Sequence, residues 1–144
     1  MEVPKNNRVL HSFSNGEKLI HQSKHFLLEL YRCDGEKLND ESFLRCKLNK
    51  AAKLAKATVL NLISNKFEPQ GVTAIALLAE SHISIHTWPE SNYSAVDIFT
   101  CGHHMMPELA SRYLIESLMA EEHSLRVIER NPPASVRKEI RSIV

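Results

Sequence analysis

The chain has 144 residues, 43% of them hydrophobic, which suffices for the core of one ordinary globular domain. Its 18 Lys and Arg residues nearly balance 17 Asp and Glu residues, so no overall field attracts nucleic acid or a membrane surface. Three cysteines without CxxC spacing, and no apolar run long enough to cross a bilayer, predict reduced thiols in a cytoplasmic protein.

The first half of the chain predicts an arm, a strand and a helix. Residues 1–23 are polar and aperiodic, and we interpret them as a flexible arm. A strand is expected over 24–32, closed by the Asp34-Gly35 turn signal. Asn39 or Asp40 can then cap a helix. The apolar stripe of that helix recurs at spacings of four, three and four: Leu44, Leu48, Ala51 and Ala55.

The second half predicts strands over 57–67 and 71–79, a hairpin, a helix and a last strand over 124–130. Pro107 suits the first turn of that helix. Its expected buried stripe is Leu109, Tyr113, Leu114 and Leu118. Pro132-Pro133 stops the last strand, which leaves 132–144 as a tail.

The hairpin spans 81–101 and carries most of the chemically capable side chains. From residue 82 to 88, His and Ser side chains and a Trp alternate with Ile and Thr, the period-2 pattern of a strand with unlike faces. Pro89 ends this strand, and 94–101 returns beside it, which should bring Cys101 back towards Ser81 and the histidines. Alternation places Ser81 on the Ile side, opposite His86, unless a bulge re-aims it.

These elements run β-α-β-β-β-β-α-β. They predict an α+β domain over 24–131, built as a two-layer sandwich of a mostly antiparallel sheet with helices on one face.

The hairpin also carries a resemblance to a known family. Glu80-Ser81-His82, the HTWPE run at 86–90 and the FTCG run at 99–102 resemble the self-cleavage region of prokaryotic S-adenosylmethionine decarboxylase proenzymes. Weaker similarity covers 24–34 and 67–80. The resemblance implies self-cleavage between Glu80 and Ser81 into a β chain (1–80) and an α chain (81–144). Ser81 would become a pyruvoyl cofactor that forms a Schiff base with S-adenosylmethionine and decarboxylates it for spermidine biosynthesis.

The same resemblance implies roles for individual residues and a quaternary state. His86 would be the proton acceptor in processing, and Cys101 the proton donor in decarboxylation. Thr73 stands where the family has a Ser that assists processing. Glu90 would bind the ribose hydroxyls and Phe67 would stack on the adenine. The resemblance also implies a homodimer whose active sites are shared between protomers, without a metal.

Two other functions stay open from the residues. The pyruvoyl chemistry also suits a decarboxylase of arginine or ornithine. A non-enzymatic metal-binding or regulatory module could use ligands from the set His82, His86, Cys101, His103 and His104. Along a strand, however, His82 and His86 would stand about 13 Å apart, too far to share one ion. Trp88 is interpreted as a packing residue.

Overall fold

The computed structural model describes residues 23–130. The predicted arm therefore lies outside the described residues, except for Ser23, which is the first residue of a strand. The predicted tail over 132–144 also lies outside them.

The sheet has six strands in the order β2-β3-β4-β5-β1-β6, and every neighbouring pair is antiparallel. The last strand thus pairs with the first, and both halves of the chain contribute to one layer. The strands are β1 (Ser23–Tyr31), β2 (Val59–Lys66), β3 (Val72–Leu78), β4 (Ser81–Trp88), β5 (Tyr93–Cys101) and β6 (Glu122–Arg130).

Within residues 23–130, three α-helices accompany the sheet, and a 3-10 turn (Pro89–Ser91) joins β4 to β5. The helices are α1 (Gly35–Leu38), α2 (Glu41–Leu54) and α3 (Pro107–Ser117). The Asp40 carboxylate caps α2 by accepting a hydrogen bond from the Phe43 N–H at 2.9 Å. Asp34 caps the short α1 in the same way, by accepting hydrogen bonds from the Glu36 and Lys37 N–H groups. The turn predicted at Asp34-Gly35 is therefore the start of a short helix. Pro107, which has no N–H to leave unpaired, is the first residue of α3.

The core lies between one face of the sheet and the two longer helices. α2 packs over β2, β3 and β4, while α3 packs over β5 and β1. The predicted stripe of α2 is buried, and so is its neighbour Ala52. On α3 the deepest side chains are Ala110, Ser111, Leu114 and Leu118. The expectation that Leu109 and Tyr113 are buried with that stripe is wrong, because both are only half-buried, although Tyr113 still packs against the core.

The opposite face of the sheet, called the open face below, has no helix over it in the described part of the chain. It carries the side chains that alternate with the core positions: His25, Leu27, Glu29, Tyr31, Thr73, Ile75, Leu77, His82, Ser84, His86, Trp88, Tyr93, Ala95, Asp97, Phe99 and Cys101. The predicted two-layer α+β architecture is thereby confirmed, with all helices on one side of an antiparallel sheet.

Thr87 ties the layers together at the end of β4. Its buried hydroxyl donates to the Leu38 carbonyl at 2.7 Å and accepts from the Val72 N–H at 2.9 Å. One side chain therefore joins α1, β3 and β4.

Replacing Thr87 by Val should lower the free energy of unfolding by about 1–3 kcal/mol, because the shape is kept while two buried backbone groups lose their partner. Urea denaturation at matched protein concentration measures this change. Thr58→Val, at an exposed position, is the matched control and should leave the midpoint unchanged. An unchanged midpoint for Thr87→Val would contradict the linking role.

Candidate active site

The functional side chains divide between the two ends of β4. At the end where β4 begins, called the cut end, Ser81 follows a tight turn formed by Ala79 and Glu80. Glu80 has a φ of 85°, a left-handed conformation that costs a residue with a side chain roughly 1–3 kcal/mol. The peptide bond between Glu80 and Ser81 thus lies in a strained turn at the edge of the core.

The Ser81 hydroxyl is buried and has no hydrogen-bond partner within residues 23–130. Such orphaned polar atoms are uncommon in folded proteins and often mark a reactive position. β4 pairs with β3 from Ser81 onward and with β5 from His82 onward, and neither pairing has a register shift. Ser81 therefore stays in phase with Ile83, and the bulge that could have re-aimed it does not occur.

Cys101 ends β5 at the same cut end. In register, His82 stands opposite Phe99, so the neighbouring strands bring the Ser81 and Cys101 positions to one edge of the sheet. The Cys101 sulfur lies 3.1 Å from the Ser23 hydroxyl oxygen, and Ser23 is its direct partner on β1. The hairpin thus returns Cys101 to the end of the sheet where Ser81 lies, as expected, but the two side chains point to opposite faces, Cys101 to the open face and Ser81 in phase with the buried Ile83.

His86, in contrast, is far from both groups. It lies five residues beyond Ser81 on the same strand, which corresponds to roughly 17 Å at the ordinary rise of a β-strand. The expectation that one hairpin gathers Ser81, His86 and Cys101 is therefore wrong for a single chain. An extended strand cannot fold back on itself to shorten that separation.

His86 instead belongs to a cleft at the other end of β4, called the far end. The cleft has a volume of about 330 Å³, at the lower limit of small-molecule sites. Its lining comes from the β2–β3 turn, β3, β4 and the 3-10 turn: Phe67, Gln70, Gly71, Thr73, His86, Thr87, Trp88 and Glu90. The structure thus places four of the sequence-predicted site residues, Phe67, Thr73, His86 and Glu90, around one opening.

Within this cleft the Thr73 hydroxyl lies 2.9 Å from Nδ1 of His86, its cross-strand partner. This contact fixes the orientation of the imidazole ring. The Thr73 hydroxyl makes this contact even though Thr carries one methyl group more than the Ser that the resemblance implies at this position.

Trp88 lines the same cleft, so its interpretation as a packing residue is incomplete. The residue is 42% exposed, and its ring stacks on Tyr93 with centroids 5.2 Å apart, while Tyr93 stacks on Tyr31 at 5.6 Å. Alternation had already placed Trp88 on the same face as His86. That shared face was the signal for a role beyond packing.

Two further polar pairs lie on the open face and were not singled out from the sequence. The Tyr93 hydroxyl donates to the Glu29 carboxylate, and burial together with this carboxylate raises the pKa of Tyr93 above its usual range. Nε2 of His25 lies 2.9 Å from a carboxylate oxygen of Asp97. Both pairs join β1 to β5, a contact between strands more than 50 residues apart in sequence.

Within residues 23–130, no group of three or more His, Cys, Asp or Glu side chains is arranged to hold a metal ion. The histidines considered for that role alternate along β4 or lie in the loop beyond Cys101. Nor does any helix of this region have the length and apolar character needed to cross a membrane.

Comparison with known proteins supplies the chemical context. A family model described as S-adenosylmethionine decarboxylase matches residues 24–131. The S-adenosylmethionine decarboxylase proenzyme of Parasynechococcus marenigrum is 60% identical over 118 residues, covering 82% of this chain and 92% of that protein. A proenzyme of the same name from Methanococcus vannielii is 52% identical over 85 residues, covering 59% of this chain and 70% of that protein.

Among solved structures, the crystal structure of the adenosylmethionine decarboxylase from Aquifex aeolicus has a TM-score of 0.73 and 36% sequence identity. The alignment with that structure covers 78% of this chain and 93% of the Aquifex aeolicus chain. The range matched by the family model includes both ends of β4.

Proposed function

The chain belongs to the S-adenosylmethionine decarboxylase family, and we propose that it cuts itself between Glu80 and Ser81 and then decarboxylates S-adenosylmethionine. The product would serve as an aminopropyl donor in spermidine biosynthesis. The observation that carries this proposal is the buried Ser81 hydroxyl without a partner, directly after the strained Glu80 turn.

The first step is a transfer of the acyl group from nitrogen to oxygen. The Ser81 hydroxyl oxygen attacks the Glu80 carbonyl carbon, the C–N bond breaks, and the hydroxyl proton passes to the Ser81 nitrogen. The strain of the Glu80 turn favours this step because it weakens the starting peptide relative to the ester. A hydroxyl is a weak nucleophile and needs a base nearby.

The second step removes the Ser81 α-proton and expels the Glu80 carboxylate, which leaves dehydroalanine at position 81. Addition of water and loss of ammonia convert it into a pyruvoyl group at the start of the 81–144 chain. This group supplies an electrophilic carbonyl that accepts the electrons released when CO₂ leaves the substrate. The residues fit it, because its parent hydroxyl is buried and an ionisable thiol, Cys101, ends the neighbouring strand.

Cys101 holds a proton at the cut end and delivers it to the substrate carbon that has lost CO₂. His86 is the proton acceptor during processing, oriented by Thr73. At the far end, the Phe67 ring stacks on the adenine and the Glu90 carboxylate accepts hydrogen bonds from the two ribose hydroxyls.

These roles require two copies of the chain, because roughly 17 Å separates His86 from Ser81 within one copy. In a symmetric dimer the same surface meets itself, so the far end of one copy can lie against the cut end of its partner. The open face is suited to this contact, since it exposes large apolar side chains: Leu77 on β3 is 52% exposed, and Ile63 on β2, which stands opposite Ile75, is 58% exposed. We therefore propose a homodimer with two shared sites.

No observation favours arginine or ornithine as the substrate, or a metal-binding or regulatory module. The described cysteines, Cys33, Cys46 and Cys101, are all free, as expected for the cytoplasmic location that we propose.

Ser81→Ala should remain a single chain, because the nucleophile is gone, whereas the exposed control Ser91→Ala should cut as fully as the parent protein. Cys101→Ala should also cut, but its release of CO₂ from S-adenosylmethionine should fall by about 10²–10⁴-fold. Intact-mass measurement and trapping of labelled CO₂ check the two steps separately. Cleavage of Ser81→Ala between positions 80 and 81 would exclude the proposed nucleophile.

A shared site also predicts complementation between two inactive variants. Ser81→Ala and His86→Ala should each stay uncut when produced alone. When they are co-expressed with different tags, mixed dimers contain one intact site, and only the His86→Ala chain should be cut. If His86→Ala cuts at the parent rate alone, or if neither chain is cut in the mixture, the shared site is refuted.

A further inference from the structure

We propose that His25 and Asp97 form a pair that returns a proton to Cys101 after each turnover, by way of the Ser23 hydroxyl. The inference rests on the proposed role of Cys101 as proton donor. In this scheme Ser23, His25 and Asp97 are positioning residues that act through Cys101 and do not touch the substrate.

The first link is the contact between Ser23 and Cys101. The hydroxyl oxygen lies 3.1 Å from the sulfur, and the two residues are direct partners across β1 and β5. A hydroxyl can donate to a thiolate or accept from a thiol without a change of position. Ser23 is therefore placed to pass a proton in either direction.

The second link begins two residues further along β1. His25 lies on the same face as Ser23, at a backbone separation of about 7 Å, which an imidazole and a hydroxyl can span directly or through one water. Nε2 of His25 is held by Asp97 at 2.9 Å, which leaves Nδ1 for another partner. A carboxylate on one ring nitrogen fixes the tautomer and the orientation of the ring.

The surroundings of this pair are polar and half-buried. The side chains of His25 and Asp97 are 24% and 32% exposed. The rings of His25 and Phe99 form a T-shaped pair, and Phe99 also contacts His82 on β4 and the Arg130 guanidinium on β6. This setting holds the imidazole of His25 between Asp97 and Phe99, on the same face of the sheet that carries Cys101.

The proton balance is simple. Delivery of the thiol proton to the substrate carbon leaves a thiolate on Cys101. The Ser23 O–H gives its proton to that sulfur while the Ser23 oxygen takes a proton from the protonated His25 ring. His25 is then neutral and recovers its proton from solvent, which supplies the one proton that decarboxylation consumes.

The test separates the first turnover from those that follow, using processed protein and labelled S-adenosylmethionine. His25→Gln keeps an amide beside Asp97 but cannot carry a proton. It should release its first equivalent of CO₂ at the parent rate and then slow by about 10²-fold in the steady state. Added imidazole should restore the steady-state rate of this variant in proportion to its concentration and should leave the parent protein unaffected.

Two substitutions at Ser23 form a matched pair. They test the relay if the His25→Gln protein does not cut itself. Ser23→Ala should show the same burst and slow steady state, whereas Ser23→Thr, which keeps the hydroxyl, should behave as the parent protein. Equal loss of the first and later turnovers, no loss at all, or no response to imidazole would overturn the relay. Failure of the proposed function itself would look different, because the parent protein would then neither cut itself nor release CO₂.

Discussion

The spacing along β4 is the constraint on which the remainder of this molecule depends. One extended strand carries Ser81 at its start and His86 five residues later, and its rise keeps these groups roughly 17 Å apart. Packing within one chain cannot shorten that distance. The reactive hydroxyl and thiol therefore belong to one end of the sheet, and the imidazole with its cleft belongs to the other. The proposed site is therefore one assembled from two copies of the sheet.

The distribution of burial agrees with this division. Helices α2 and α3 cover one face of the sheet, and their apolar stripes form the core together with the inward-facing side chains of the strands. The open face carries hydrogen-bonded pairs between β1 and β5, an aromatic stack from Trp88 to Tyr31, and exposed aliphatic side chains. Polar pairs held rigidly on a sheet position catalytic groups well, because neighbouring strands fix their backbones.

Local patterns could be predicted from the sequence, and long-range contacts could not. Alternation and Pro89 correctly located β4 and its end, because both signals act within a few residues. The pairing of β1 with β5 and β6 depends on segments far apart in the chain, so the His25–Asp97 and Ser23–Cys101 contacts had no local signal. The family resemblance of the hairpin identified Ser81, His86 and Cys101 together as candidate site residues. Only the strand geometry revealed that the first two lie at opposite ends.

The most direct measurement of the central claim is the rate of self-cleavage as a function of protein concentration. Freshly synthesised chain would be diluted across the range in which sedimentation shows dissociation of the dimer, and the cut fraction followed by mass. If His86 of a second copy assists cleavage, the half-time of cleavage should lengthen as the monomer accumulates. A monomer that cuts itself between residues 80 and 81 as rapidly as the dimer would contradict the account.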